Sequence, residues 1–299
     1  MSRFSNILKN IFFLLLIIQV APFLIMGIKK QYKNLLEPQT QVGVISCKGT
    51  IDNAGFYVTH LQKFFKDNDI KAILLKIDSG GGTAGTAQTI FNEIKDLKKD
   101  HPKPIITLVE NACASGAYYI ACATDFIIAP ASAFMGSVGV YIAHPNFKDC
   151  IEQFKIHYTV TQSGKYKTVG DPLLAMPEDG KELLQQLTDD THDQFIQDVM
   201  ESRHLVAGQS SAWKDGQILT GRQALTIGLI DALGSPEAAE KTIKERACIT
   251  NEIEWIKPQK PSLLATLFGA DNDDDQSYVE SALGYMYSWL CGKVQTTML

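Results

Sequence analysis

The sequence carries no excess of positive charge: 28 Lys and Arg stand against 33 Asp and Glu, for a net charge of −5. Without a basic footprint, no nucleic-acid partner is expected. The six cysteines (Cys47, Cys113, Cys122, Cys150, Cys248 and Cys291) form no CxxC pair and no Cys/His cluster. Their spacing therefore offers no zinc site, and no metal is expected. Cys113 and Cys122 lie among apolar neighbours, as small core side chains do. A phosphate-binding loop is missing too. Gly80-Gly81-Gly82-Thr83-Ala84-Gly85 departs from the dinucleotide spacing, no acidic residue closes a following strand, and the loop has no Gly-Lys-Ser/Thr end. No cofactor is expected, and no long internal repeat is visible.

Charge is also absent from Ile11 to Ile28, an eighteen-residue stretch with Arg3 and Lys9 before it and Lys29, Lys30 and Lys33 after it. A membrane-spanning helix needs about 20 mostly apolar residues, so this run is just long enough. Val20-Ala21-Pro22 makes a poor cleavage site for a signal peptide, which favours an uncleaved anchor. Both flanks are basic, so charge does not orient it. The chain divides on this reading into an anchor over 1–31, a catalytic domain over 32–248 and a tail over 249–299. The tail holds an acidic run (Asp271, Asp273, Asp274, Asp275) and a segment from Tyr278 to Leu290 with Val279, Leu283, Met286 and Leu290 on one side.

Between anchor and tail, strand and helix patterns alternate. Val42–Cys47, Ala72–Ile77, Ile105–Val109 and Phe126–Ala129 read as strands, the second ended by the glycines. Tyr57–Phe65, Thr86–Leu97 and Gly116–Ala121 read as helices. Met176 to Arg203 reads as one long helix with Pro177 in its first turn and Leu183, Leu184, Leu187, His192, Phe195, Ile196 and Val199 as its apolar stripe. Shorter helices are expected over Gly221–Ile227 and from Ser235-Pro236-Glu237 onward. Short strands joined by helices imply parallel βαβ units, an α/β fold. Functional groups in such sheets gather beyond the carboxyl ends of the strands, where Gly80-Gly81-Gly82 and Ser115 both fall.

Those residues supply parts of acyl-transfer chemistry. Ser115 lies in Asn111-Ala112-Cys113-Ala114-Ser115-Gly116-Ala117, a run of small residues that lets a peptide carbonyl approach its hydroxyl. The plainer role for a serine there is to N-cap the next helix. An oxyanion pocket needs backbone N–H groups with no side chain in the way, and Gly81, Gly82 and Gly116 are the candidates. A base is then required. Of the six histidines (His60, His101, His144, His157, His192, His204) only His144, in an Ala-His-Pro turn, competes; His192 falls inside the long helix. Lysine can serve instead if burial brings its pKa from about 10.4 toward neutrality. Lys167 and Lys165, in Ser163-Gly164-Lys165-Tyr166-Lys167, are both eligible. The residues alone leave open a crotonase-like acyl-thioester enzyme with the same oxyanion pocket, or a catalytically silent membrane scaffold.

The chain resembles the signal peptide peptidase A family of serine peptidases, in its short single-copy form. The resemblance rests on Ile77-Asp78-Ser79-Gly80-Gly81-Gly82, on Ala112 to Ala121, on Met135-Gly136-Ser137-Val138-Gly139-Val140, on Ser163 to Lys167, on Asp215 to Ala224, and on Gly228-Leu229-Ile230-Asp231. It covers roughly residues 42–245 in consistent order. It implies a crotonase- and Clp-protease-like spiral of parallel strands and helices behind an N-terminal transmembrane helix. It further implies Ser115 as nucleophile, Lys167 as general base, and an oxyanion pocket from Gly81, Gly82 and Gly116. Homo-oligomers are implied, with the serine and lysine of one site supplied by adjacent subunits. So are attachment to the cytoplasmic membrane with the catalytic domain outside, and substrates that are cleaved signal peptides and unfolded polypeptides. Against Clp-type proteases, the position of the catalytic histidine falls around Gly136-Ser137, which favours lysine. Asp78 stands where the family usually has Asn, and Gly80 where it often has Pro. An Asp78 turned inward would oppose an oxyanion.

Overall fold

Alternation decides which side chains each strand buries. In β1 (Thr40–Ile51) Val42 and Val44 face one side, while Ile45, Cys47 and Ile51 face the other. β2 (Ile70–Gly82) repeats the pattern, with Ala72 and Leu74 against Ile73, Leu75 and Ile77. β3 (Ile105–Ala114) does the same, with Ile106 and Leu108 against Ile105 and Val109. A sheet apolar on both faces must be covered twice, as parallel sheets are. One face packs against α1 (Gly55–Lys66), α2 (Ala84–Asp100), α3 (Gly116–Cys122) and the second half of α5 (Glu178–Arg203). The other meets Ala239 and Ile243 of α7 (Pro236–Arg246). Gly43 admits Phe64 of α1 so closely that a Cβ there would lie 2.5 Å from its ring.

This computed structural model describes residues 21–22, 38–206 and 211–258. Apart from Ala21 and Pro22, the expected anchor lies outside the described residues, as do the acidic run and the apolar segment of the tail. Among the described residues no helix is long and apolar enough to cross a membrane. The remaining elements are β4 (Phe126–Ala129), β5 (Phe134–Gly136), α4 (Lys148–Gln153), β6 (Ile218–Thr220), α6 (Gly221–Thr226), β7 (Ala232–Leu233) and β8 (Ile253–Ile256).

The sheet runs β6-β5-β3-β2-β1-β8, and every described pairing is parallel except β5 with β6. The α/β expectation with parallel strands holds. β3 divides its free edge: Ile106–Leu108 pair with β4, and Ala112–Ala114 pair with β5. A register shift makes this possible, since Ile77 faces Val109 but Ser79 already faces Cys113. β2 continues through the glycines, contrary to expectation, because Gly81 and Gly82 still pair with Thr50 and Ile51. The sequence reading saw no strand after Cys248, yet β8 lies in register on β1, Thr40 opposite Ile253. Pro177 caps α5 from outside. The expected apolar stripe of α5 is buried only in part: Phe195 and Val199 are covered, whereas Leu187 is 53% exposed.

A clamp closes the end of α5. Arg203 donates to both carboxylate oxygens of Asp231, at 2.8 and 3.0 Å, and Asp231 also accepts from the Ile127 N–H at 2.7 Å. The Arg203 side chain is 8% exposed. Asp231→Ala would leave that guanidinium buried without its counter-charge, with only the Nε–H bond to Gly228 O at 3.3 Å remaining, a loss of about 3–5 kcal/mol. Urea unfolding should show it as a lower midpoint at unchanged slope; a midpoint like the wild type's would refute the clamp.

Candidate active site

Ser115 joins β3 to α3 in a conformation that few residues other than glycine adopt, φ 51° and ψ −128°. Such angles cost on the order of 1–3 kcal/mol and persist where surrounding contacts hold them. Here the Ser115 N–H donates to Gly136 O at 2.8 Å, and Ser115 O accepts from the Tyr119 N–H at 3.0 Å. The side chain makes no capping hydrogen bond. The plain N-cap role is thereby set aside: the hydroxyl stands on a sharp turn above the helix it was expected to cap.

The glycine loop lies against that turn. A Cβ on Gly81, whose φ is +117°, would come within 2.8 Å of the Ser115 Cβ and 3.0 Å of the Gly116 nitrogen. One on Gly82 would lie 1.9 Å from Ile51 O. Contact requires glycine at both positions, and the backbone angle adds a second reason at Gly81. The three oxyanion candidates differ in what their N–H groups do. Gly81 N–H donates to Ser79 Oγ at 3.1 Å. The Thr83 N–H turns back to Ile51 O at 3.0 Å. Alternation along a strand therefore sends the Gly82 N–H toward the other edge, where Gly116 lies. A Cβ on Gly116 would be 3.3 Å from the Gly82 nitrogen. Ser79, given no role beforehand, ties two loops together, since its buried hydroxyl also donates to Gly49 O at 2.5 Å.

The cleft that opens over these groups has a volume of about 780 Å³. Gly49, Thr50 and the glycines form one wall; Ser137, Gly139, Val140 and Tyr141 form another, with Ser115 on the floor. Asp78 is not among its lining residues, and its carboxylate accepts from the Asn111 side-chain amide at 3.0 Å. The inward turn that would oppose an oxyanion does not occur. A side chain at Gly80 would meet open space, so that departure from the family pattern carries no steric consequence.

Neither Lys165 nor Lys167 lines the cleft. Lys165 is paired with Asp179 and lies 5.0 Å over the Tyr166 ring, and the Asp179 carboxylate holds its pKa above the ordinary lysine value. Lys167 is exposed, its N–H bonded to Gly164 O at 3.2 Å in a run of turns. His144 is likewise exposed and away from the cleft. His192 does line it. Its Nε2 lies 2.7 Å from Lys214 O and 3.2 Å from Val138 O, so that nitrogen carries the proton and donates to carbonyls of two cleft loops. It is a strut between them. Its place on the apolar stripe of α5 follows from the sequence, whereas the position of this turn beside the cleft carries no local signal.

Cys113, two residues before Ser115, is fully buried, and desolvation pushes its thiol well above the usual range. It is no rival nucleophile. Iodoacetamide on the native chain should modify the exposed Cys150 and Cys248 while sparing Cys47, Cys113 and Cys122. Peptide mapping checks this; rapid loss of Cys113 would contradict its placement. Among the described residues no group of three or more His, Cys, Asp or Glu side chains could hold a metal ion.

The model of peptidase family S49 matches residues 97–250, just over half of the chain and including Ser115, Gly116 and Lys167. The chain is 32% identical to a candidate protease of Methanocaldococcus jannaschii, over 67% of this chain and 63% of that one. It is 29% identical to Protease 4 of Haemophilus influenzae, over 82% of this chain and 42% of that one. A candidate signal peptide peptidase of Enterococcus faecium is 28% identical over 80% of this chain and 63% of its own. The chain thus spans less than two thirds of each of these relatives.

Proposed function

This chain belongs to peptidase family S49, and from that membership we propose a membrane-anchored endopeptidase that uses Ser115 as nucleophile and Lys167 as general base. The observation that carries the assignment of Ser115 is its strained backbone, held against a loop in which Gly81 and Gly82 tolerate no side chain. Ser115 Oγ attacks the peptide carbonyl while its proton passes to the Lys167 amine. The N–H groups of Gly82 and Gly116, with Gly81 shaping the loop through Ser79, hold the oxyanion. The lysinium then protonates the leaving amine, and the acyl-enzyme is hydrolysed by water that gives its proton to the same lysine, which returns it to Ser115 Oγ as the acid leaves.

Lys167 reaches Ser115 from an adjacent copy of the chain in this account. Supporting this, Phe154, Ile156, Tyr158 and Val160 are exposed by 73, 54, 44 and 37% on the segment leading to it. Leu187 in the first half of α5 is also exposed and apolar. A homo-oligomer that covers these residues would bring a neighbour's lysine to each serine. The uncharged run 11–28 supports a single-pass membrane anchor. Its charges do not orient it, and the cytoplasmic membrane with the catalytic domain on the extracytoplasmic side is taken from the resemblance to signal peptide peptidases. Substrates are cleaved signal peptides and unfolded polypeptides, and the catalytic domain adopts a spiral like that of crotonases and Clp proteases. The full-length chain in detergent should cleave denatured casein and leave acyl-CoA thioesters untouched. Thioester turnover without casein cleavage would overturn the reading.

A further inference from the structure

Beside the main cleft a small pocket of about 30 Å³ opens at Ser115 and Gly116. A cavity needs roughly 10–15 Å³ of such space to hold one water molecule, so this pocket takes a small side chain more readily than a bulky one. Ala84, Ala87, Tyr119, Val140 and Phe195 are among the residues that line it. The two rings are held in place. Tyr119 stacks on Phe195 with ring centres 4.5 Å apart and touches Phe91 at 4.8 Å. Its hydroxyl bonds to Asp198 and accepts from Gln88 at 3.3 Å. Phe195 is 3% and Tyr119 5% exposed. Thr191 borders the pocket too, but its hydroxyl is engaged by Leu187 O at 2.8 Å, leaving a mostly apolar lining.

The pocket touches Ser115 together with Gly82 and Gly116, the groups assigned to the nucleophile and the oxyanion. A carbonyl held by those groups has its own Cα one bond away, so the side chain nearest the pocket belongs to the residue on the acyl side of the cleaved bond. We propose that this pocket selects small acyl-side residues, so that the enzyme cuts after Ala, Gly or Ser, with Phe195 and Val140 setting the limit. The inference rests on the peptidase reading above. An added methylene that a pocket must accept or refuse changes kcat/KM by about 10- to 200-fold. Alanine over leucine should therefore be favoured by at least ~10-fold.

The test digests denatured casein with the full-length chain in detergent and maps every new C-terminus by mass spectrometry, using Ser115→Ala as control. Peptides differing only in Ala or Leu before the cut then give the kcat/KM ratio. Cuts after small residues, with that ratio at least ~10 and lowered by several-fold in Val140→Ala and Phe195→Leu, are the expected result. Val140 is half-buried outside regular structure, so its variant remains informative if Phe195→Leu fails to fold. Ser115-dependent cuts mainly after Leu or Phe would overturn the pocket proposal and leave the peptidase reading standing. Absence of any Ser115-dependent cut would overturn both.

Discussion

Ser115→Ala should lower peptide hydrolysis by at least ~10³-fold while leaving the thermal midpoint within a degree or two. Loss of a covalent nucleophile commonly removes most of an enzyme's rate enhancement, because the remaining oxyanion and binding contacts act on a reaction that has lost its first step. The structural effect should be small for a definite reason. The hydroxyl caps no helix, and alanine inherits the same φ of 51° held by the same Gly136 carbonyl. A variant that lost activity and melted much earlier would instead mean that Ser115 is a structural residue. Activity assay and melting curve must therefore be measured on the same sample.

Lys167→Ala should be equally damaging, and its rescue is more telling than its loss. Within one chain Lys167 is exposed and does not line the cleft that contains Ser115. If a neighbour supplies it, inactive Ser115→Ala and inactive Lys167→Ala chains dissociated, mixed and reassembled should regain activity. Random mixing in a ring leaves about one quarter of the sites with both groups intact. Recovery to about that fraction is expected, against none for either variant alone. Lys165→Ala provides the comparison, since Lys165 is engaged with Asp179 and its removal should cost the rate no more than a few-fold. Failure of the mixture to recover, with oligomers present, would exclude a shared site. Full activity in Lys167→Ala would remove Lys167 from the dyad.

Much of this was legible in the sequence because apolar periodicity is a local signal. β1 to β4 and the helices between them bury whole faces, and their residues announce it. Ser115 and the glycines were legible by type and order. Other features arise from contacts distant in the chain. β5, β6 and β7 have only two or three residues each, too few for a period, and β8 has four of mixed polarity; they exist through pairing with β3, β5, β4 and β1 in turn. The extension of β2 through Gly82 needs Thr50 and Ile51 beside it, which no glycine count reveals. His192 reads as one more residue of an apolar stripe until α5 is placed across the loops of Val138 and Lys214. Leu187 fails in the opposite sense: it belongs to the same apolar stripe as Phe195 and Val199 yet is left 53% exposed. The backbone angle of Ser115, the strongest mark of its role, is invisible in its letter.

The central claim is that acyl transfer passes through Ser115, and trapping the acyl-enzyme tests it most directly. The full-length chain is mixed with a peptide ester that acylates faster than it deacylates, quenched in acid, digested and mapped by mass spectrometry. One stoichiometric acyl group is expected on Ser115, absent in Ser115→Ala and accumulating more slowly in Lys167→Ala. Turnover of the ester with no adduct on Ser115, or with the acyl group on another side chain, would contradict it.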